Sequence, residues 1–150
     1  MHTTPSIFFG ADHNGFRLKQ RLGAWISRRG RRVVDLGAKT LDPRDDYPVF
    51  AAAVAQAVAR GRGLGVLICG SGHGMAIAAN RNRRVRAVLC GSPFSAKMAR
   101  HDDHANVLVL AAWETTLPRA RQILSAWLKT EESRIPRHQR RVAMLSKLGR

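Results

Sequence analysis

Short apolar runs alternate with amphipathic stretches along this chain. Ile7–Gly10, Val33–Leu36, Gly65–Ile68, Arg86–Cys90 and Asn106–Leu110 have the length and apolar content of strands. Between them the spacing changes to that of helices. Phe16–Arg29 carries Leu18, Leu22, Trp25 and Ile26 at i, i+4, i+7 and i+8, one helical face, and Gly30 ends it. Lys39–Pro48 reads as a loop, with Asp42-Pro43 as turn chemistry. Val49–Arg60 is an alanine-rich helix, small enough to lie close on a sheet. Gly74–Asn80 and Pro93–Arg100 follow as short helices. Thr116-Leu117-Pro118 opens another, with Ile123, Leu124, Trp127 and Leu128 on one face, and a basic helix runs from about Pro136 to Leu148.

Strict alternation of strand and helix predicts an α/β fold: a three-layer, Rossmann-like, doubly wound five-stranded parallel sheet with an extra C-terminal helix. At 150 residues, with no repeats, low-complexity tracts or linkers, residues 1–150 are expected to form a single domain with an ordered core of about 6–148. Ligands in such sheets sit beyond the carboxyl ends of the strands. The residues there are Ala11-Asp12-His13-Asn14-Gly15, then Cys69 to Gly74, then Ala111-Ala112-Trp113.

Cys69-Gly70-Ser71-Gly72-His73-Gly74 is the segment richest in chemistry. Its glycines let backbone approach a ligand closely, and free N–H groups at a helix start attract anions. A thiol there suggests carbanion or acyl chemistry. The plainer reading, a tight strand-to-helix turn after a buried cysteine, stands equally on the motif alone.

Charge changes the picture less than its size suggests. Twenty-six Lys and Arg against ten Asp and Glu give a formal +16, with clusters at Arg28, Arg29, Arg31, Arg32; at Arg81, Arg83, Arg84, Arg86; and at Arg134, Arg137, Arg140, Arg141. Aromatic residues are 6% of the chain and are not interleaved with the first two clusters, as a base-stacking platform requires. Those two read as basic solvated surface, and specific nucleic-acid binding is not expected. Met1–Ser6 is polar and no apolar run is long enough for a signal peptide or a membrane span. Cys69 and Cys90 lack metal-type spacing, which suits a reducing compartment, the cytoplasm. His101-Asp102-Asp103-His104 has ligand-type side chains, but four adjacent residues cannot all face one ion; a polar loop, without metal, is expected.

Several motifs together resemble the ribose-5-phosphate isomerase B family, which also includes allose- and galactose-6-phosphate isomerases. They are Gly10-Ala11-Asp12-His13-Asn14-Gly15-Phe16, Val34-Asp35-Leu36-Gly37, Asp46-Tyr47-Pro48, Ile68-Cys69-Gly70-Ser71-Gly72-His73-Gly74 with Ile77-Ala78-Ala79-Asn80, and Arg137-His138-Gln139-Arg140-Arg141-Val142. The resemblance implies a cofactor-free aldose–ketose isomerase acting on a sugar phosphate. It also implies a homodimer, or a pair of such dimers, with active sites across the interface. Cys69 would be the base moving a proton between C1 and C2, its pKa lowered by the helix start. Gly70, Gly72, His73 and Gly74 would line the enediolate, with Ser71 donating a hydrogen bond. Asp12 and His13 would hold the sugar and phosphate and help to open the furanose ring, Asp12 as a catalytic group, and Tyr47 would line the sugar pocket. Arg137 and Arg141, at i and i+4, would bind the phosphate, with His138 between them. Another branch of the family has glutamate where this chain has Met75.

Two departures stand out. Where the family places a His-Asn pair after the equivalent of Arg100, this chain has Asp102 and Asp103, with His101 one position early and His104 one late. His101 is the favoured ring-opening acid, with Asp103 near the substrate. Trp113 stands where the family commonly has a phosphate-binding arginine. The favoured reaction is interconversion of ribose 5-phosphate and ribulose 5-phosphate. Isomerisation of another phosphorylated aldose, such as allose 6-phosphate, and a non-catalytic sugar-phosphate or polyanion binder are the alternatives.

Overall fold

A computed structural model describes residues 4–61 and 63–149; Met1–Thr3 of the polar N-terminal run lie outside the described residues. The elements in chain order are β1 (Ser6–Ala11), α1 (Phe16–Ser27), β2 (Val33–Asp35), α2 (Tyr47–Ala59), β3 (Gly63–Cys69), α3 (His73–Ala79), β4 (Ala87–Leu89), α4 (Pro93–Asp102), β5 (Val107–Ala111), α5 (Leu117–Lys129) and α6 (Pro136–Leu145). The strands form one all-parallel sheet in the order β2-β1-β3-β5-β4.

The alternation of side chains along each strand divides the core in two. Ile7, Phe9, Val66, Ile68, Leu108 and Leu110 face α1, α4 and α5, where Leu22, Ile26, Ile123, Leu124 and Trp127 complete a buried layer. Phe8, Leu67, Cys69, Val107 and Val109 face α2 and α3, packing on Val54, Ala55, Met75 and Ala79. The small residues of α2 let it lie close to β1 and β3, so Cys69 belongs to the α2–α3 face. Lys19, buried within the α1 layer, is matched by both Asp35 oxygens at 2.9 Å and the Ala38 carbonyl at 2.7 Å, which ties the end of β2 to α1.

Several boundaries shift by one to three residues from the sequence expectation, and three of these bear on the site. Pro48 is taken into the first turn of α2, where its missing N–H needs no partner, so the helix starts at Tyr47 rather than Val49. The helix expected to stop at Arg100 continues to Asp102, which places His101 and Asp102 on its last turn rather than in a loop. The last helix ends at Leu145, earlier than Leu148, and buries only His138 against the body.

Gly15 fixes how closely the β1–α1 turn meets β3. A Cβ on Gly15 would stand 2.4 Å from the Ile68 carbonyl oxygen, a backbone atom that cannot swing aside. Gly15→Ala is therefore expected to lower stability by about 1–3 kcal/mol or more, as overpacked cores do. The midpoint of urea unfolding measures this; an unchanged midpoint would mean the turn is not held by that contact.

Candidate active site

β1 runs to β2 on one side and β3 runs towards β4 and β5 on the other, so the chain reverses direction across the sheet between β1 and β3. That is where a doubly wound sheet opens a crevice. Ala11 pairs with Ile68 across this line, so Asp12 and Cys69, each one position further on, emerge side by side. Asp12 is 5% exposed, and its Oδ1 accepts the N–H groups of Asn14 at 3.0 Å and Gly15 at 3.1 Å.

Cys69 is also nearly buried, and the glycine loop wraps around its sulfur. Gly72 N–H points at Sγ from 3.2 Å, and the N–H groups of Ser71 and Met75 also favour its ionised form. This wrapping needs Gly72 at φ +79°, a left-handed backbone that side chains disfavour. Burial nevertheless pushes the Cys69 thiol above the ordinary cysteine value, and the Asp12 carboxylate adds to the rise. The expected lowering by the helix start is thus corrected: three N–H groups favour the thiolate, but loss of water outweighs them.

His13 is oriented by a residue the sequence reading passed over. Its backbone N–H donates to Asp45 Oδ1 at 3.0 Å, and its Nδ1 lies 2.7 Å from the same oxygen. The Asp45 hydrogen bond raises the His13 pKa, and Asp12 and Asp42 raise it further. Asp45 sits in the loop before α2, where the one available signal was an acidic pair, Asp45-Asp46, ahead of Tyr47-Pro48.

Two aromatic rings rest on the ends of the loop. A Cβ on Gly74 would be 2.5 Å from Tyr47 Cζ, and a Cβ on Gly70 would be 2.4 Å from Trp113 Cε2. Tyr47 therefore lies against the loop. Ser71 accepts the His73 N–H at 3.3 Å, and His73 itself is exposed.

The remaining expected residues gather elsewhere. α4 returns antiparallel to the strands, so its last turn lies at the amino edge of the sheet. Arg86, just before β4, donates to the carbonyl of His104 and, through its N–H, to the Asn106 side chain. That edge is one strand from Cys69, about 15 Å for the five residues of β5. There His101 Nδ1 lies 2.7 Å from Asp102 Oδ1, and the His138 ring meets the His101 ring edge-on at 5.8 Å. His138 is buried, with Nδ1 2.9 Å from Ser133 Oγ, and so anchors α6. Arg137 and Arg141 are exposed on α6, and Arg137 helps His101 and His138 to hold the Asp102 carboxyl below its usual range. Asp103 is separate: it is exposed and lines a groove with Arg83, Arg86 and Leu145.

Among the described residues, two groups have the side chains to hold a metal ion, with ligand atoms within 4.8 Å of one another: Asp12, His13 and Asp45, and His101, Asp102 and His138. In each, a carboxylate is already hydrogen-bonded to a histidine nitrogen, an arrangement suited to carrying a proton.

A thiol and a carboxylate at the switch point of a parallel sheet, under a glycine loop, define a small-molecule enzyme of the doubly wound class. Residues 7–145 match the family described as Ribose/Galactose Isomerase, and the chain belongs to it, as an isomerase of the aldose–ketose type. Ribose-5-phosphate isomerase B of Escherichia coli is 41% identical over 141 residues, 93% of each chain, and that of Mycobacterium tuberculosis is 37% identical over 96% of this chain and 90% of its own. The crystal structure of the Mycoplasma genitalium ribose-5-phosphate isomerase B with bound ribulose-5-phosphate superposes with a TM-score of 0.92 at 38% identity, covering 97% of both chains. The Trypanosoma cruzi type B enzyme gives 0.92 at 35% identity over the same shares. No described helix is long and apolar enough to cross a membrane.

Asp45→Asn is expected to lower the His13 pKa, since the carboxylate is its main support. In the native protein the raised pKa contributes stability below about pH 6.5 that is lost as pH rises through the His13 value. An NMR titration of the His13 ring in both proteins checks this, and equal midpoints would refute the coupling.

Proposed function

We propose that this protein interconverts ribose 5-phosphate and ribulose 5-phosphate through an enediolate, with Cys69 as the base. The observation that carries the reading is the emergence of Cys69 beside Asp12 at the switch point, with loop N–H groups around the sulfur. The mechanism runs as follows. His101 gives a proton to the ring oxygen while the Asp12 carboxylate takes the proton of the anomeric hydroxyl, and the sugar opens. Asp12 and His13 hold its hydroxyls. The Cys69 thiolate removes the C2 proton and returns it to C1, while Ser71 and the glycine loop stabilise the enediolate oxygens and the hydroxyl proton passes from O2 to O1. A base whose pKa lies above neutrality is ionised less often at pH 7, but it is stronger when ionised.

His101 suits ring opening better than His104. The His104 Nε2 is engaged with the Ser133 carbonyl at 3.0 Å, whereas the His101 side chain is 39% exposed and rests on Asp102. His101, Arg137 and Arg141 stand one strand length from Cys69 within a chain, so each chain supplies two half-sites. A homodimer that brings opposite ends together completes both. Exposed apolar residues on the carboxyl side, Val49, Ile77 and Phe94, and the sparsely buried α6 support such pairing. No cofactor is needed for this chemistry, and a metabolic enzyme of this kind suits the cytoplasm.

Trp113, in place of a charged residue at the loop, favours a second reading in which another aldose phosphate, such as allose 6-phosphate, is the preferred substrate. A panel of aldose phosphates assayed for ketose formation separates the two. Loss of turnover on all of them, with binding intact, would leave the non-catalytic reading.

Cys69→Ala should lower kcat by orders of magnitude, and wild-type kcat/KM should rise with pH above neutrality as the thiolate forms. His101→Ala should slow turnover of cyclising pentose phosphates. Mixing the two impaired variants, after unfolding and refolding together, should raise activity on pentose phosphates to about a quarter of wild type or more, because half the dimers then hold one intact site. No recovery would place both residues in one chain's site or remove one of them from it.

Arg141→Ala should raise KM for ribose 5-phosphate at least tenfold, in line with about 1.5–3 kcal/mol for a lost charge-assisted hydrogen bond. Ribose itself should barely sense the change. Equal effects on both sugars would sink the phosphate assignment.

A further inference from the structure

We propose that Trp113 is the apolar wall of the sugar site, its indole lying against the carbon backbone of a bound aldose phosphate; this rests on the isomerase reading given above. Trp113 is 71% exposed, although a tryptophan carries more apolar surface than any other side chain here and the core lies two residues away at Ala111. Its placement is nonetheless tightly fixed. Ala112 N–H donates to the Cys69 carbonyl at 2.8 Å, and Trp113 N–H donates to the Gly70 carbonyl at 3.0 Å. The indole then packs on Gly70 itself, so closely that a methyl group there would overlap Cε2 and Cζ2. One face of the ring is thus seated on the residue next to the thiol, and the side chain is presented to solvent where ligands enter the sheet.

Tyr47 repeats the arrangement at the other end of the loop, resting on Gly74. Ser71, Gly72 and His73 lie between two aromatic rings, a floor of hydrogen-bonding groups with apolar sides. A phosphorylated aldose has the matching character: hydroxyls and a dianion for the polar groups, and a C–H face for a flat ring. The contribution of Trp113 is to contact carbon and to exclude water from Cys69. Being uncharged, it should do so independently of ionic strength, unlike the arginines of α6.

The test is a set of kinetic and fluorescence measurements on the full chain with ribose 5-phosphate. Trp113→Ala should raise KM about three- to tenfold with kcat within about twofold of wild type, by the same factor at low and high salt. Trp113→Phe should keep most of the affinity. Saturating ribose 5-phosphate should change the tryptophan emission of the wild type, and Trp113→Phe should lose that change. An unaltered KM in Trp113→Ala, a loss that vanishes in salt, or an emission that follows protein dilution but not ligand would each overturn the wall; the last would mean that a second copy covers the indole. A wild-type protein that turns over no aldose phosphate sinks the isomerase reading, whereas an active one with a silent Trp113 sinks only this inference.

Discussion

The close pairing of β1 with β3 is the constraint on which the rest of the molecule depends. Six residues of each strand run in register, and the pairing ends where Asp12 and Cys69 leave the sheet together. Gly15 permits it, because the turn after β1 must pass directly over the Ile68 carbonyl. The pairing also decides which core each side chain joins. Ile68 goes to the α1–α5 layer and Cys69, its neighbour, to the α2–α3 layer. A shift of one residue would exchange them and bury the thiol under α1 and α5.

This register creates a conflict at the sulfur that the fold leaves in place. Burial disfavours charge, and the left-handed turn at Gly72 brings N–H groups that favour it. Neither can be removed alone, since the turn that aims the N–H groups also shuts out water. The same opposition recurs at His13, where Asp45 is nearly enclosed, has one oxygen occupied by the histidine and leaves the other, buried, without a partner among the described residues. Polar groups held in this way are strong in their interactions and sensitive to any change in their neighbours.

Much of this was legible in the sequence, and what was not has identifiable causes. Five apolar runs separated by helical spacing define the parallel sheet, since those periods reflect burial directly. Asp12, Cys69 and the glycine loop could be placed at one end of the sheet because a strand's carboxyl end is known once the strand is. The location of His101 was harder. Its helix gains two residues at the C-terminus, and helix ends are set by local hydrogen bonding that periodicity does not record. Asp45 was missed for another reason: its partner is thirty-two residues away, and nothing in a loop's composition names a distant histidine. The thiol's displacement upwards was invisible as well, because a motif shows the N–H groups but not how much water the surrounding helices exclude.

The contact between Gly70 and the indole of residue 113 has a consequence for how this molecule can change. The two positions, far apart in the chain, compete for one small volume beside the thiol. While tryptophan occupies 113, any side chain at 70 forces the ring away from its seat, and only after 113 becomes smaller or more pliant is 70 released from being glycine. Substitution at these sites therefore has an order. In a lineage carrying this tryptophan, the floor of the loop is locked by its wall, and the two can be rebuilt only in sequence, wall first.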